Sequence, residues 1–170
     1  MNTFNFNERL NKSNDSSTQK EIKEILMAIF PYAIDIQKAD LQADIKGTDY
    51  WVRFKYRKVV SIDVKVRDTD PLEMWGKNDL ALETFSDKER ETVGWTRDEK
   101  KNTDYVLWYF SKTKRYVILP YLLLQSIFVK NWENWKEQYK NDTQDSSEWK
   151  SECIFVPLDI ILKSIYEEYC

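Results

Sequence analysis

Lys46–Arg67, KGTDYWVRFKYRKVVSIDVKVR, decides the fold of this chain. Two strand-like runs, one opening at Tyr50 and one at Val59, flank the basic stretch KYRK, and they carry Asp49, Asp63 and Lys65. Asp63 and Lys65 are two residues apart, so on a strand they project from one face while Ile62, Val64 and Val66 project from the other. The apolar face can be buried while the polar one stays reachable. Folded back as a hairpin centred near Tyr56, the two runs bring Asp49 opposite Asp63, within reach of one hard divalent cation. KYRK offers neither Gly nor Asn, so turn chemistry leaves the register open.

Upstream, Thr18-Gln-Lys-Glu21 reads as a capping box, and Ile22, Ile25, Leu26 and Ile29 follow at helical spacing until Pro31. This predicts an amphipathic first helix whose polar side carries Glu21 and Glu24. Residues 1–17 are rich in Asn and Ser without a sustained period, which predicts a flexible arm ahead of a single domain over residues 18–170. Ala33–Gln37 and the stretch through Leu41 to Ile45 are expected to form a strand leading into the hairpin. Asp40 and Asp44 compete there for the place of Asp49. Asp49 ranks first because it follows Gly-Thr and opens the alternating run Tyr50-Trp51-Val52-Arg53-Phe54, with Asp44 next.

Downstream, DTDPLEMWGKND reads as a loop, and Asp79–Ser86 as a helix with Leu80, Ala81 and Leu82 inward and Glu83 toward solvent. A charged surface loop follows, within which Trp95 either stacks on a base or plugs the core, the plug being the expectation. Asp104–Phe110 and Arg115–Leu119 read as a second hairpin extending the same sheet. Pro120 opens an apolar helix continued by Trp132, Trp135 and Tyr139. Asn141–Glu148 reads as a polar loop, Cys153–Val156 as a short strand, and Pro157 as the start of a helix burying Leu158, Ile161, Leu162 and Ile165.

These elements, with their Asp, Asp-x-Lys pattern, resemble the PD-(D/E)xK nuclease superfamily over about residues 18–120. The resemblance implies an α/β fold with a restriction-endonuclease-like core, a central mixed β-sheet flanked by helices in the order αβββαβ. It implies a metal-dependent nuclease, endonuclease or exonuclease, in which Asp49, Asp63 and the main-chain carbonyl of Val64 hold Mg2+ or Mn2+ and Lys65 orients the attacking water or stabilises developing charge. Some members add a Glu from the first helix, for which Glu21 stands ahead of Glu24. Thr48 takes the place of the family's Pro, which shapes the turn into the strand and performs no chemistry.

Composition narrows the chemistry independently. The chain has no histidine, which removes Ser-His-Asp and Cys-His triads, His-ligated zinc hydrolases and His-dependent nucleases. Carboxylates, lysines, tyrosines and hard metals remain. The net charge of −3 argues against coating nucleic acid by bulk electrostatics, yet Lys46–Arg67 holds seven basic residues against two acidic ones. Arg53, Lys55, Arg57, Lys58 and Arg67 form a basic rim suited to a polyanion, DNA ahead of RNA. A solvated strand edge accounts for the same lysines and arginines equally well. Two cysteines are too few for a disulfide framework. With no apolar run of membrane-spanning length and no charged-then-apolar leader in MNTFNFNERLNKSNDSS, the expectation is a cytoplasmic protein with no membrane partner. A homodimer fits the need of many nucleases to cut two strands.

A different class of function is also consistent with the sequence, a non-catalytic nucleic-acid- or protein-binding module, such as a mobile-element or phage-encoded inhibitor, on the same scaffold. Metal dependence separates the two.

Overall fold

The computed structural model describes residues 15–145 and 150–170. They fold into two compact units, one formed by the described residues up to Asp70 with Lys100–Tyr121, the other by Pro71–Glu99 with Leu122–Cys170.

The first unit opens with helix α1 (Ser16–Ile29), capped by the Asp15 carboxylate accepting from Thr18 N–H at 3.0 Å. The cap expected at Thr18 is displaced three residues upstream. Thr18 is buried and shares the inward stripe of Ile22 and Leu26, so its hydroxyl belongs to the core face and not to the helix end. Of the arm expected over residues 1–17, residues 1–14 lie outside the described residues, and Ser16 and Ser17 already belong to α1.

Strands β1 (Asp35–Lys38), β2 (Tyr50–Arg53) and β3 (Val59–Arg67) follow as an antiparallel run; β3 then pairs in parallel with β6 (Tyr105–Phe110), and β6 in antiparallel with β7 (Arg115–Pro120). The sheet is therefore mixed, ordered β1-β2-β3-β6-β7. Its α1-facing side is an apolar core of Ile22, Leu26, Ile36, Tyr50, Val52, Ile62, Leu107 and Tyr109, with Val64 and Val66 packed against it. Burying one such large side chain contributes about 1.5–3 kcal/mol, and these are what fix α1 to the sheet. Alternation then sends Asp63, Lys65 and Arg67 to the opposite side.

Leu41–Ile45, expected to be part of a strand, is instead a short helix, α2. Asp40 caps it by accepting from Ala43 N–H at 2.9 Å, a local bond that competes successfully with pairing in the sheet.

The second unit contains α3 (Pro71–Trp75), β4 (Asp79–Asp87), β5 (Thr92–Val93), α4 (Tyr121–Gln138) from Leu122 onward, β8 (Asn141–Asp145), β9 (Lys150–Pro157) and α5 (Leu158–Tyr169). Its sheet is antiparallel, ordered β5-β4-β9-β8. The helix expected over Asp79–Ser86 is thus a strand. Leu80, Leu82 and Thr84 are buried in alternation, a period of two that overrides the helical reading of the Leu-Ala-Leu cluster. Residues 141–145 of the expected polar loop pair with β9 as an edge strand, while 146–148 lie outside the described residues. Leu162 is exposed, not buried, and Ile161 alone among α5 residues is fully enclosed. Trp95 is half-buried, and its main-chain N–H donates to the Glu83 carboxylate at 3.1 Å. Buried Glu152 accepts from Lys88 and Lys136, each at 2.6 Å, so its charge is satisfied inside this unit. No helix among the described residues is long and apolar enough to cross a membrane.

Candidate functional site

The β2–β3 hairpin sets the geometry of the site. Tyr50 pairs with Ile62 as the last pair of the ladder, and Asp49 N–H donates to Ile62 C=O at 2.8 Å, which ties Asp49 just beyond that pair, beside β3. The Asp49 carboxylate then takes the place of a further strand residue, Oδ2 accepting from Val64 N–H at 2.5 Å. Because a strand residue directs its N–H and C=O to the same edge, the Val64 carbonyl lies on the Asp49 side of β3. Asp49 and this carbonyl thus share one edge of β3, and Asp63, the residue before Val64, is near enough for its charge to act on the Asp49 carboxyl.

Asp63 is buried on the side away from α1, where Lys65 approaches both of its oxygens, at 3.0 Å from Oδ1 and 2.8 Å from Oδ2. A second ammonium, Lys101 Nζ, lies 2.8 Å from Oδ2 with its side chain 6% exposed. Lys101 has no counterpart among the sequence-predicted residues. It is delivered by the segment before β6, which is stitched to the hairpin at three places. Asn102 N–H donates to Lys46 C=O, Thr48 Oγ1 donates to Asn102 C=O, and Asp104 Oδ2 accepts from both the N–H and the hydroxyl of Ser61. Thr48 thus holds the lysine-bearing loop. The one sequence signal for Lys101 is its place in Lys-Asn-Thr-Asp directly ahead of a strand; the partner that gives it meaning is dozens of residues upstream.

Electrostatically the two carboxyls diverge. Burial, reinforced by the negative charge of Asp63, pushes Asp49 up to about 7, against the opposing pull of Lys65 and the Val64 N–H. Burial also works to raise Asp63, but Lys65 and Lys101 outweigh it and hold its carboxyl below the usual range. Burial and the neighbouring Lys65 lower the Lys101 ammonium, with Asp63 opposing them. Two carboxyls whose environments push them apart can hold and release a proton near neutral pH beside a fixed negative charge.

The remaining predicted residues divide by position. Glu21 is not brought to this site. It accepts from the Tyr109 hydroxyl and from Lys114 Nζ, and Tyr109 belongs to the α1-facing core opposite Asp63. Glu24 is exposed, 3.9 Å from Lys20. Asp44 is exposed on α2, and its charge acts weakly on Asp49. Glu83 lies in the other unit. Arg67 shares the Asp63–Lys65 face two positions along, and donates to Val66 C=O at 2.9 Å. Arg53, Lys55, Arg57 and Lys58 are exposed at the turn end of the hairpin, with Lys58 five residues and roughly 16 Å along the strand from Asp63. They do not rim the carboxylates.

Whether a metal suits these residues can be judged from the donors. Two carboxylates and a carbonyl are hard oxygen ligands of the kind that hold Mg2+ with several waters retained, and the raised Asp49 carboxyl is the group a divalent cation would relieve. Among the described residues no group of three or more carboxylate, thiol or imidazole side chains gathers, so a bound ion would keep most of its water. The donor set fits magnesium on those terms. No protein-family model, no curated protein and no solved structure matches this chain.

Proposed function

We propose that the chain is a metal-dependent nuclease with a restriction-endonuclease-like core, hydrolysing phosphodiester bonds of nucleic acid, DNA ahead of RNA. The observation that supports this reading is the Asp49 carboxylate bonded to Val64 N–H, next in sequence to Asp63, whose carboxylate Lys65 engages. Asp49, Asp63 and the Val64 carbonyl would hold Mg2+ or Mn2+. Such an ion supplies charge neutralisation at the scissile phosphate and lowers the pKa of an associated water. Asp63, ionised and fixed by two ammonium groups, provides the permanent negative charge of the site. Asp49 would hold the ion as its carboxylate. Lys65, still 19% exposed at its side chain, can turn from Asp63 toward a phosphate oxygen and stabilise charge as it develops there. A homodimer would let two such sites address two strands, and a cytoplasmic location would give access to nucleic acid.

One observation favours a second reading, a non-catalytic binding module. Lys101 already neutralises Asp63 Oδ2 from a nearly enclosed position, as an ammonium retained in place of a metal would do. The two readings are separated by incubating labelled single- and double-stranded DNA and RNA with the protein in Mg2+, Mn2+ or EDTA, beside Asp63→Ala. Cleavage that needs metal and disappears in the variant supports the nuclease; binding without cleavage in any metal supports the module.

A further inference from the structure

The turn of the β2–β3 hairpin is built against its own backbone preference. Phe54 N–H donates to Lys58 C=O at 2.8 Å, closing a loop of Lys55, Tyr56 and Arg57. Tyr56 has φ 62° and ψ 33°, and Arg57 has φ 60°, so two successive residues occupy the left-handed region that Gly or Asn fills without strain. Packing does not compensate, because Tyr56 is 94% exposed. A large aromatic held outward in a strained turn is an outlier of the kind that clusters at ligand-gripping positions.

The charge around it is one-sided. Arg53, Lys55, Arg57 and Lys58 are all exposed, and residues 50–62 contain neither Asp nor Glu. The acidic residue nearest by register is Asp35, half-buried opposite Arg53. A second exposed ring, Tyr32 at 86%, stands two residues before Ile34, whose N–H donates to Arg53 C=O.

We propose that this turn is a grip for single-stranded nucleic acid, with Tyr56 as the platform on which one base stacks and the flanking cations as partners of the adjoining phosphates. A duplex hides the faces of its bases in its own stack, whereas a splayed strand offers them to a protruding ring. The strained turn leaves the ring 94% exposed, with Lys55 and Arg57 on either side of it in sequence. This surface lies at the turn end of β3, beyond Val59, and does not depend on cleavage, so binding measured in EDTA tests it independently of the nuclease reading.

The test is fluorescence anisotropy with labelled oligothymidine and a duplex of equal length, in EDTA at low and high salt, with sedimentation against phosphatidylserine vesicles alongside. The wild type should bind the single strand more tightly than the duplex or the vesicles. Tyr56→Asn, which suits the left-handed backbone and keeps every cation, should melt no lower than the wild type yet bind oligothymidine about tenfold or more weakly. Tyr56→Trp should retain the affinity. Replacing Lys55 and Lys58 by Ala should flatten the log–log salt dependence by roughly 1.4. Wild-type affinity in Tyr56→Asn, preference for the duplex, preference for the vesicles, or no binding of oligothymidine by the wild type would each overturn the proposal.

Discussion

Gly47 and Lys101 share one space. A Cβ at residue 47 would stand 2.4 Å from Lys101 Nζ and 2.7 Å from its Cγ, so the ammonium reaches Asp63 through room left by a missing side chain. Gly47 also has φ +90°, which L side chains rarely adopt. Gly47→Ala is therefore expected to lower stability by about 1–3 kcal/mol, and to expel Lys101 from the carboxylates, measurable by urea denaturation and by the reactivity of Lys101 toward an amine-modifying reagent.

Lys101 and a metal would compete for the same oxygen. Lys101→Met should raise the apparent affinity for Mg2+ by about tenfold, read by calorimetry. In EDTA the same variant should lose about 2 kcal/mol of stability because Asp63 keeps only Lys65, and Mg2+ should restore it. Unchanged metal affinity in Lys101→Met would remove Lys101 from the site.

The pH dependence of stability should carry the signature of Asp49. Its carboxyl, raised to about 7 by burial and by Asp63, binds its proton more tightly in the folded chain than in the unfolded one. Its contribution is full below about pH 4 and is lost as the pH rises through about 7. Asp63, held below the usual range, has the opposite slope, present above the unfolded value and lost only in stronger acid. Metal-free denaturation between about pH 5 and 7 should thus show falling stability, and Asp49→Asn should abolish the slope and exceed the wild type at about pH 8 by about 2 kcal/mol.

Glu21 provides a control for the assignment of the site. Glu21→Gln removes a partly exposed ion pair with Lys114 and leaves the Asp63 side of the sheet untouched. Its cleavage rate should stay within about twofold of wild type, with stability changed by less than about 1 kcal/mol. A large loss of turnover at unchanged stability would return Glu21 to the chemistry.

The hairpin was legible because its alternation admits one inward face. Ile62, Val64 and Val66 can be buried only if Asp63 and Lys65 point away, and the pairing of Tyr50–Arg53 with Val59–Ile62 follows from a turn near Tyr56. What escaped were local signals outvoted by neighbours. Leu80-Ala-Leu82 suggested a helix until β9 supplied a partner on which Leu80, Leu82 and Thr84 alternate. Leu41–Ile45 needed the Asp40 cap to become helical. The basic residues of the turn read as a rim of the carboxylates because spacing along the chain does not reveal the strand length that separates them. Lys101 was invisible for a related reason, since nothing near it in sequence names Asp63 as its partner.

Lys65→Met tests whether Lys65 performs chemistry beside a metal held by Asp49 and Asp63 when calorimetry and single-turnover cleavage are run on the same preparation. The variant is expected to bind Mg2+ within about threefold of wild type and to cleave more slowly by about a hundredfold or more. Cleavage by Lys65→Met at the wild-type rate, or no binding of Mg2+ by the wild type, would contradict that role for Lys65.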